Sequence, residues 1–169
     1  VFQARAERLY RDLLKKHGAD IGHCALLLAV IGELGNNAFD HNLGKWQDEK
    51  GISFWGSVEN EVLILADRGQ GVQSSLQASG LKAASEEEYL RIAFTQTVSG
   101  RAPERRGNGL KLVTNIVQSQ SWSLFFRSGK SNYTLGPALN SLVGDALNTS
   151  TNPGVFCFLS WRKKGNSKK

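Results

Sequence analysis

The sequence predicts an α/β fold: a two-layer sandwich in which helices cover one face of a mixed, mostly antiparallel sheet. Two observations predict it. Residues with helical apolar spacing lie at the start of the chain and again near residue 110. Short apolar segments typical of strands occur in pairs separated by tight turns. Helices that alternate with hairpins are typical of a sheet with its helices on one face. A length of 169 residues predicts one domain, residues 1–169.

Composition and charge argue against some classes of protein. Hydrophobic residues make up 40% of the chain, as in ordinary globular domains. No apolar run approaches the roughly 18 residues of a membrane span, so we expect no membrane contact by this domain. A net charge of +6 would suit a nucleic-acid partner. However, much of the excess lies in a basic tail, residues 163–169, and in an arginine cluster within 101–106, and we do not expect nucleic acid as the partner.

The two cysteines, Cys24 and Cys157, lie far apart in apolar stretches and show no metal-ligand spacing. We expect both to be buried thiols of a cytoplasmic protein, since a reducing compartment keeps thiols free. The chain begins at Val1 and contains no methionine. We expect it to be a piece of a longer protein.

Two helices are predicted at the start of the chain. Residues 4–16 place apolar side chains at helical spacing among charged ones, and Gly18 ends this pattern. Asp20 is a suitable N-cap for a second helix, which runs to about His41.

Two strands follow, at residues 52–58 and 62–66, joined by a turn at 59–61. The second strand is apolar on both faces, which predicts an interior position in the sheet.

Residues 72–106 form a long predicted lid between two glycine-containing segments. The lid begins with small and polar residues, continues in a helix at 85–98 and ends in a loop rich in glycine, arginine and proline. Ser85 and Glu88 have the spacing of a capping box at the start of that helix. We expect this lid to be mobile.

The remainder of the chain predicts one helix and three strands. They span residues 110–118, 122–127, 132–135 and 155–161. The predicted buried stripe of the helix consists of Leu112, Val113, Ile116 and Val117. Residues 136–153, rich in Asn, Ser, Thr and Gly, are predicted to be an inserted loop.

The first of three motifs lies on the second helix. Glu33, Asn37 and His41 are four residues apart and so share one helix face, with Asn36 and Asp40 beside them. An amide oxygen is a suitable magnesium ligand, and a carboxylate one turn away can deprotonate a water or a hydroxyl. The alternative is a polar stripe that faces solvent.

The second motif follows the second strand. Asp67 precedes Gly69 and Gly71, where the lack of a Cβ lets the backbone approach a ligand closely. A carboxylate there can accept a hydrogen bond from the exocyclic amine of adenine, and it rejects guanine, which has a carbonyl at that place. A simple β-turn is the alternative.

The third motif opens the helix predicted at residue 110. It consists of Gly107, Asn108, Gly109 and Leu110. Backbone N–H groups at a helix N-terminus form an anion site, and Arg106 and Lys111 add positive charge. Arg101 and Arg105 either close over a terminal phosphate or face solvent.

Together the three motifs resemble the N, G1 and G2 boxes of the GHKL ATPases, the family of gyrase, MutL, histidine kinases and anti-sigma serine kinases. The resemblance covers about residues 20–162. It implies the Bergerat form of the sandwich, residues 72–106 as the ATP lid, and ATP and Mg²⁺ as cofactors. It also implies that Asn37 is the metal ligand and Glu33 the general base. The implied nucleotide-binding residues are Asn36, Asn37, Asp40, His41, Asp67, Gly69, Gly71, Val72, Arg106, Gly107, Asn108, Gly109, Leu110 and Lys111.

Two positions depart from the commonest histidine kinases of this family. Many of these carry asparagine where this chain has Glu33, and lysine where it has Asp40. Glutamate at the first position is found in the hydrolysing members, in the serine kinases and in another subgroup of the histidine kinases. Glu33 therefore favours a water or hydroxyl acceptor without excluding a histidine kinase.

The resemblance implies an ATP-dependent protein kinase or ATPase, and three functions stay open. The first is the catalytic domain of a sensor histidine kinase, which transfers the γ-phosphate in a bacterial-type signalling system. Its phosphoacceptor histidine would lie outside this chain, because His17 and His23 lack the flanking residues of a phosphoacceptor helix. The second is a stand-alone serine kinase or regulator like the anti-sigma kinases. The third is an ATP-hydrolysing switch of the gyrase or MutL type.

A non-enzymatic ATP-binding module is a further alternative. Under the kinase interpretations, the expected protein partner is a phosphoacceptor domain, a response regulator or an antagonist. The full-length protein could be a homodimer.

Overall fold

The computed structural model describes residues 2–17, 20–42, 51–98, 108–136 and 152–162. Within these residues the chain forms five α-helices and five β-strands. The helices are α1 (Phe2–His17), α2 (Ile21–Asn42), α3 (Gly71–Ala78), α4 (Glu86–Thr95) and α5 (Gly109–Ser119). The strands are β1 (Ile52–Ser57), β2 (Val62–Asp67), β3 (Ser123–Gly129), β4 (Ser131–Leu135) and β5 (Asn152–Ser160). The predicted α/β class is confirmed, and the arrangement is that of a two-layer sandwich.

The five strands form one sheet in the order β1-β2-β5-β3-β4. The last strand enters between the two hairpins, so that Leu159 lies opposite Leu63 of β2 and Leu124 of β3. Every pairing in the described part of the sheet is antiparallel. The prediction of a mixed sheet is therefore wrong for these residues. The reason is the direction of β5, which runs opposite to both of its neighbours.

The core lies between the sheet and the helices. Alternate strand residues such as Leu63, Leu124 and Leu159 face it, and α2 and α5 cover them with a continuous apolar surface. Cys24 and Cys157 are buried free thiols, as predicted. In the described part of the chain, no helix is both long enough and apolar enough to span a membrane.

The face of the sheet away from this core carries a row of large apolar side chains. Trp55, Ile64, Phe158 and Phe125 lie opposite one another on successive strands β1, β2, β5 and β3. Trp55, near the edge, is 52% exposed, whereas Phe125 is buried. The strand β2 has paired neighbours on both sides, as its apolar sequence predicted.

Both predicted helix caps are confirmed. Asp20 Oδ1 accepts a hydrogen bond from the His23 N–H at 2.9 Å, at the start of α2. Ser85 Oγ accepts one from the Glu88 N–H at 3.1 Å, at the start of α4.

Part of the predicted lid packs as a helical layer. Residues 71–98 contain α3 and α4, and Leu90 and Phe94 of α4 are buried in the core. The Phe94 ring stacks on Tyr133 of β4, with ring centroids 4.3 Å apart. The helix α3 was not predicted. The remainder of the predicted lid, residues 99–106, lies outside the described residues, as do the basic tail and residues 137–151 of the inserted loop.

The predicted buried stripe of α5 needs one correction. Leu112 is 41% exposed, whereas Val113, Ile116 and Val117 are buried. The buried arc of α5 is narrow, and position 112 falls on its solvent side.

Candidate nucleotide site along helix α2

The first motif lies on the C-terminal half of α2, on the faces of the helix that border the core. Leu34 and Ala38 face the core, while Glu33 and Asn37 are half-buried on the adjoining face. Asn36 and Asp40 are exposed. The side chain of His41 lies outside the described residues.

The third motif lies directly against the first. A Cβ built on Gly109 would overlap Glu33 Oε2 and would stand 3.6 Å from Asn37 Nδ2. Gly109 therefore lies against these two side chains, and a Cβ there would displace the end of the Glu33 side chain. The Nδ2 atom of Asn37 is buried and has no hydrogen-bond partner among the described residues.

Among the described residues, no side chain caps the N-terminus of α5. Asn108 occupies the N-cap position, but its Oδ1 accepts a hydrogen bond from Thr97 Oγ1 at 2.9 Å instead of capping the helix. The first turn contains no acidic residue, and Lys111 is part of it. The first N–H groups of a helix lack intrahelical partners, and the helix dipole there favours anions. Arg106 and Gly107 of this motif lie outside the described residues.

The second motif is centred on a buried carboxyl group. Asp67 is 3% exposed, and its Oδ1 accepts hydrogen bonds from the Gly69 N–H at 2.8 Å and from Asn42 Nδ2 at 3.1 Å. Its Oδ2 has no partner among the described residues. Burial raises the pKa of the Asp67 carboxyl above its usual value, and the N–H groups of Gly69 and Val155 and the Asn42 amide oppose the rise.

Two glycines near this carboxyl group, Gly71 and Gly154, have different roles. Gly71 has a φ of +72°, in the left-handed region that favours glycine, and it begins α3. Gly154 lies across the sheet, where a Cβ would overlap the carbonyl group of Asp67. Val72 packs in the apolar core, and its N–H donates to Ser128 Oγ at 2.8 Å.

The sequence did not indicate Asn42, Ser128 or Gly154 as parts of this region. Asn42 contacts Asp67 across 25 residues of sequence, and Ser128 contacts Val72 across 56. A polar residue at the end of a long helix is the only local signal that could have drawn attention to Asn42. The contacts of Ser128 with Val72 and of Gly154 with Asp67 depend on the order of the strands in the sheet.

The three motifs thus meet along one helix. Glu33 and Asn37 touch the start of α5, and Asn42 touches Asp67 and Gly69. Asn37 and Asn42 are five residues apart, about 7–8 Å along the axis of α2. The uncapped start of α5 lies at one end of this stretch of α2, and the buried Asp67 Oδ2, which has no partner among the described residues, lies at the other.

Among the described residues, no group of three or more His, Cys, Asp or Glu side chains could hold a metal ion by itself. A magnesium ion bound by one protein oxygen together with phosphates and waters does not need such a group. The amide of Asn37, whose Nδ2 has no partner among the described residues, has the chemistry of such a single ligand.

Comparisons with protein-family models, with curated proteins and with solved structures found no match. The resemblance to the GHKL ATPases stays a prediction from the three motifs.

The contact between Gly69 and Asn42 gives a stability prediction. A Cβ on Gly69 would overlap the buried amide of Asn42. We expect Gly69→Ala to lower the free energy of unfolding by about 1–3 kcal/mol, as overpacking of a buried site does. Urea unfolding followed by circular dichroism measures this change.

Gly32→Ala is the matched control for this prediction. A Cβ at Gly32, within α2, would have nothing within 4 Å. We expect this variant to be more stable than the parent by about 0.5–1 kcal/mol, because alanine is the better helix former. Equal stabilities for the Gly69 variant and the parent would show that position 69 has room for a side chain.

Proposed function

We propose that this chain is the Mg-ATP-binding catalytic domain of a histidine kinase-like ATPase with a Bergerat fold. In this proposal it transfers the γ-phosphate of ATP within a bacterial-type signalling system, as the catalytic domain of a sensor histidine kinase does. The observation that carries the proposal is the meeting of the three motifs along α2. Gly109 lies against Glu33 and Asn37, and Asn42 is hydrogen-bonded to Asp67.

Asp67 is the base-selecting residue of the proposal. An unsatisfied buried acceptor costs about 1–3 kcal/mol, and Asp67 Oδ2 is such an acceptor among the described residues. The exocyclic amine of adenine would supply the missing hydrogen bond. Guanine would instead place a carbonyl oxygen against the carboxylate, which repels it.

The start of α5 is the proposed phosphate site. Its N–H groups can donate to phosphate oxygens, since Asn108 is turned toward Thr97 and does not cap them. Lys111 adds positive charge in the first turn. In phosphoryl transfer the protein contributes mostly positioning and charge neutralisation, and a helix N-terminus can supply both.

Asn37 is the proposed protein ligand of magnesium. Bound magnesium would neutralise negative charge on the phosphates. Asn37 Nδ2 makes no hydrogen bond to a described residue. No bond of that nitrogen to a described residue prevents a half-turn of the amide, and such a turn would present Oδ1, the kind of atom that Mg²⁺ prefers.

Glu33 is the proposed general base. Its carboxylate lies at the start of α5, one helical turn from Asn37. It can accept a proton from a water or hydroxyl held there. A general base at the start of α5 favours a second candidate function, that of a stand-alone serine kinase or regulator like the anti-sigma kinases, in which the acceptor is a hydroxyl. It equally suits an ATP-hydrolysing switch of the gyrase or MutL type, in which water is the acceptor.

A substitution at Glu33 separates binding from turnover. We expect Glu33→Gln to bind MgATP about as well as the parent, while turnover falls by about 10²–10⁴-fold, the usual contribution of a general base. Turnover is measured as phosphate release and as labelling of added protein acceptors from γ-labelled ATP, and binding by calorimetry.

Glu87→Gln, at an exposed position of α4, is the control for loss of charge. Unchanged turnover in the Glu33 variant would exclude Glu33 as the base. That result would agree with a histidine acceptor, which needs no deprotonated hydroxyl and is the acceptor in the first proposed function.

A further inference from the structure

Asn42, the last residue of α2, joins the first two motifs through three hydrogen bonds. Its Nδ2 donates to the Ala38 carbonyl oxygen at 2.8 Å and to Asp67 Oδ1 at 3.1 Å. Its Oδ1 accepts from the Gln70 N–H at 2.8 Å. The side chain is buried, and none of the three sequence motifs includes it.

These partners define the chemistry needed at position 42. The carbonyl oxygen of Ala38 and the carboxylate of Asp67 accept hydrogen bonds, whereas the backbone N–H of Gln70 donates one. An amide satisfies all three at once. Aspartate at position 42 would bring two carboxylates into contact, and leucine would leave all three groups without this partner.

The same contacts fix the Asp67 carboxyl group. Its Oδ1 receives two hydrogen bonds, from Asn42 and from the Gly69 N–H. Rotation of the carboxyl group about its Cβ–Cγ bond would break both. Its Oδ2 therefore keeps one position, and it has no partner among the described residues.

We propose that Asn42 is a positioning residue for base selection: by holding Asp67 Oδ1, it keeps Oδ2 in place as the acceptor that distinguishes adenine from guanine. This inference rests on the proposed function, because it requires that Asp67 meets the base. Asn42 acts through Asp67 and does not touch the nucleotide.

Asn42 also opposes protonation of Asp67. Burial raises the pKa of the Asp67 carboxyl, and the N–H groups of Gly69 and Val155 and the Asn42 amide lower it. No charged side chain of the described residues is among these causes. Loss of the Asn42 amide would therefore raise the pKa further, and the carboxyl group would gain its proton at a higher pH. A protonated oxygen donates to the guanine carbonyl, so the preference for adenine falls as pH falls through this pKa.

The test compares affinities for MgATP and MgGTP in Asn42→Leu, Asn42→Ser and the parent, by calorimetry over a range of pH. The ratio of the two dissociation constants is the readout, because the phosphates titrate alike in both nucleotides. We expect the ATP preference to fall about tenfold or more in both variants, as loss of a hydrogen bond to a charged group predicts. We also expect the pH at which the preference disappears to rise.

Asn115→Leu, on the exposed side of α5, is the matched control and should keep the parent ratio. Equal weakening of ATP and GTP in the Asn42 variants, with an unchanged ratio, would mean that Asn42 only supports the fold. That result would overturn the inference and leave the proposed function standing. If the parent binds neither nucleotide, the proposed function itself fails.

Folding of each variant is verified by circular dichroism, and the serine variant provides the comparison if the leucine variant does not fold. The parent alone gives an independent test. Its ATP preference should decline as the pH is lowered, and a ratio that stays constant through protonation of Asp67 would contradict the base-selecting role of Asp67 on which this inference rests.

Discussion

Asp67→Asn is expected to lower the affinity for MgATP by about 100-fold or more and to raise the affinity for MgGTP. Asp67 Oδ1 accepts two hydrogen bonds, from Gly69 and Asn42. An asparagine at position 67 would keep its oxygen at that place, and its nitrogen would take the place of Oδ2. The base would then face a donor, which suits the guanine carbonyl and opposes the adenine amine. Calorimetric titration with both nucleotides measures the change.

Glu59→Gln is the control for the lost charge, since Glu59 is exposed in the turn between β1 and β2. It should bind both nucleotides as the parent does. An Asp67→Asn variant that retains the parent's preference for ATP would show that this carboxyl group does not read the base.

Asn37→Ala is expected to remove the magnesium-dependent part of ATP binding. Asn37 is the proposed protein ligand of the ion, and its amide lies at the start of α5, where the phosphates would bind. In the parent, ATP should bind more tightly with Mg²⁺ than with a chelator present. In the variant, the two dissociation constants should become nearly equal, whatever the remaining affinity.

Asn115→Ala removes an exposed amide from α5 and serves as the control. Asn37→Asp, which retains an oxygen ligand, should recover part of the magnesium dependence. An alanine variant whose affinity still rises with Mg²⁺ as in the parent would exclude Asn37 as the metal ligand.

Much of the secondary structure could be predicted because its causes are local. Apolar spacing identified α1, α2 and α5, and the side-chain oxygens of Asp20 and Ser85 cap α2 and α4 as expected. The direction of β5 could not be predicted. It depends on which strands pair across long stretches of chain, and neither the strand pattern nor the turns contain that information.

In the candidate site too, the sequence predicts the local arrangement of residues and does not predict the contacts between elements. Helical periodicity placed Glu33 and Asn37 on one face of α2. Their contact with Gly109 depends on the packing of α5 beside α2, which the sequence does not specify. The missing side chain of Gly69 makes room for Asn42, a contact that the sequence did not indicate. The expectation that this glycine lets the backbone approach a ligand stays a prediction.

The most direct test of the proposed Mg-ATP site is a calorimetric titration of the unmodified protein with ATP and with GTP, each in Mg²⁺ and in a chelator. If Asp67 selects the base and Asn37 holds the metal, ATP binds at one site per chain, more tightly than GTP and more tightly with Mg²⁺ than without. Absence of ATP binding, or equal affinity for the two nucleotides with no effect of Mg²⁺, would contradict the proposal.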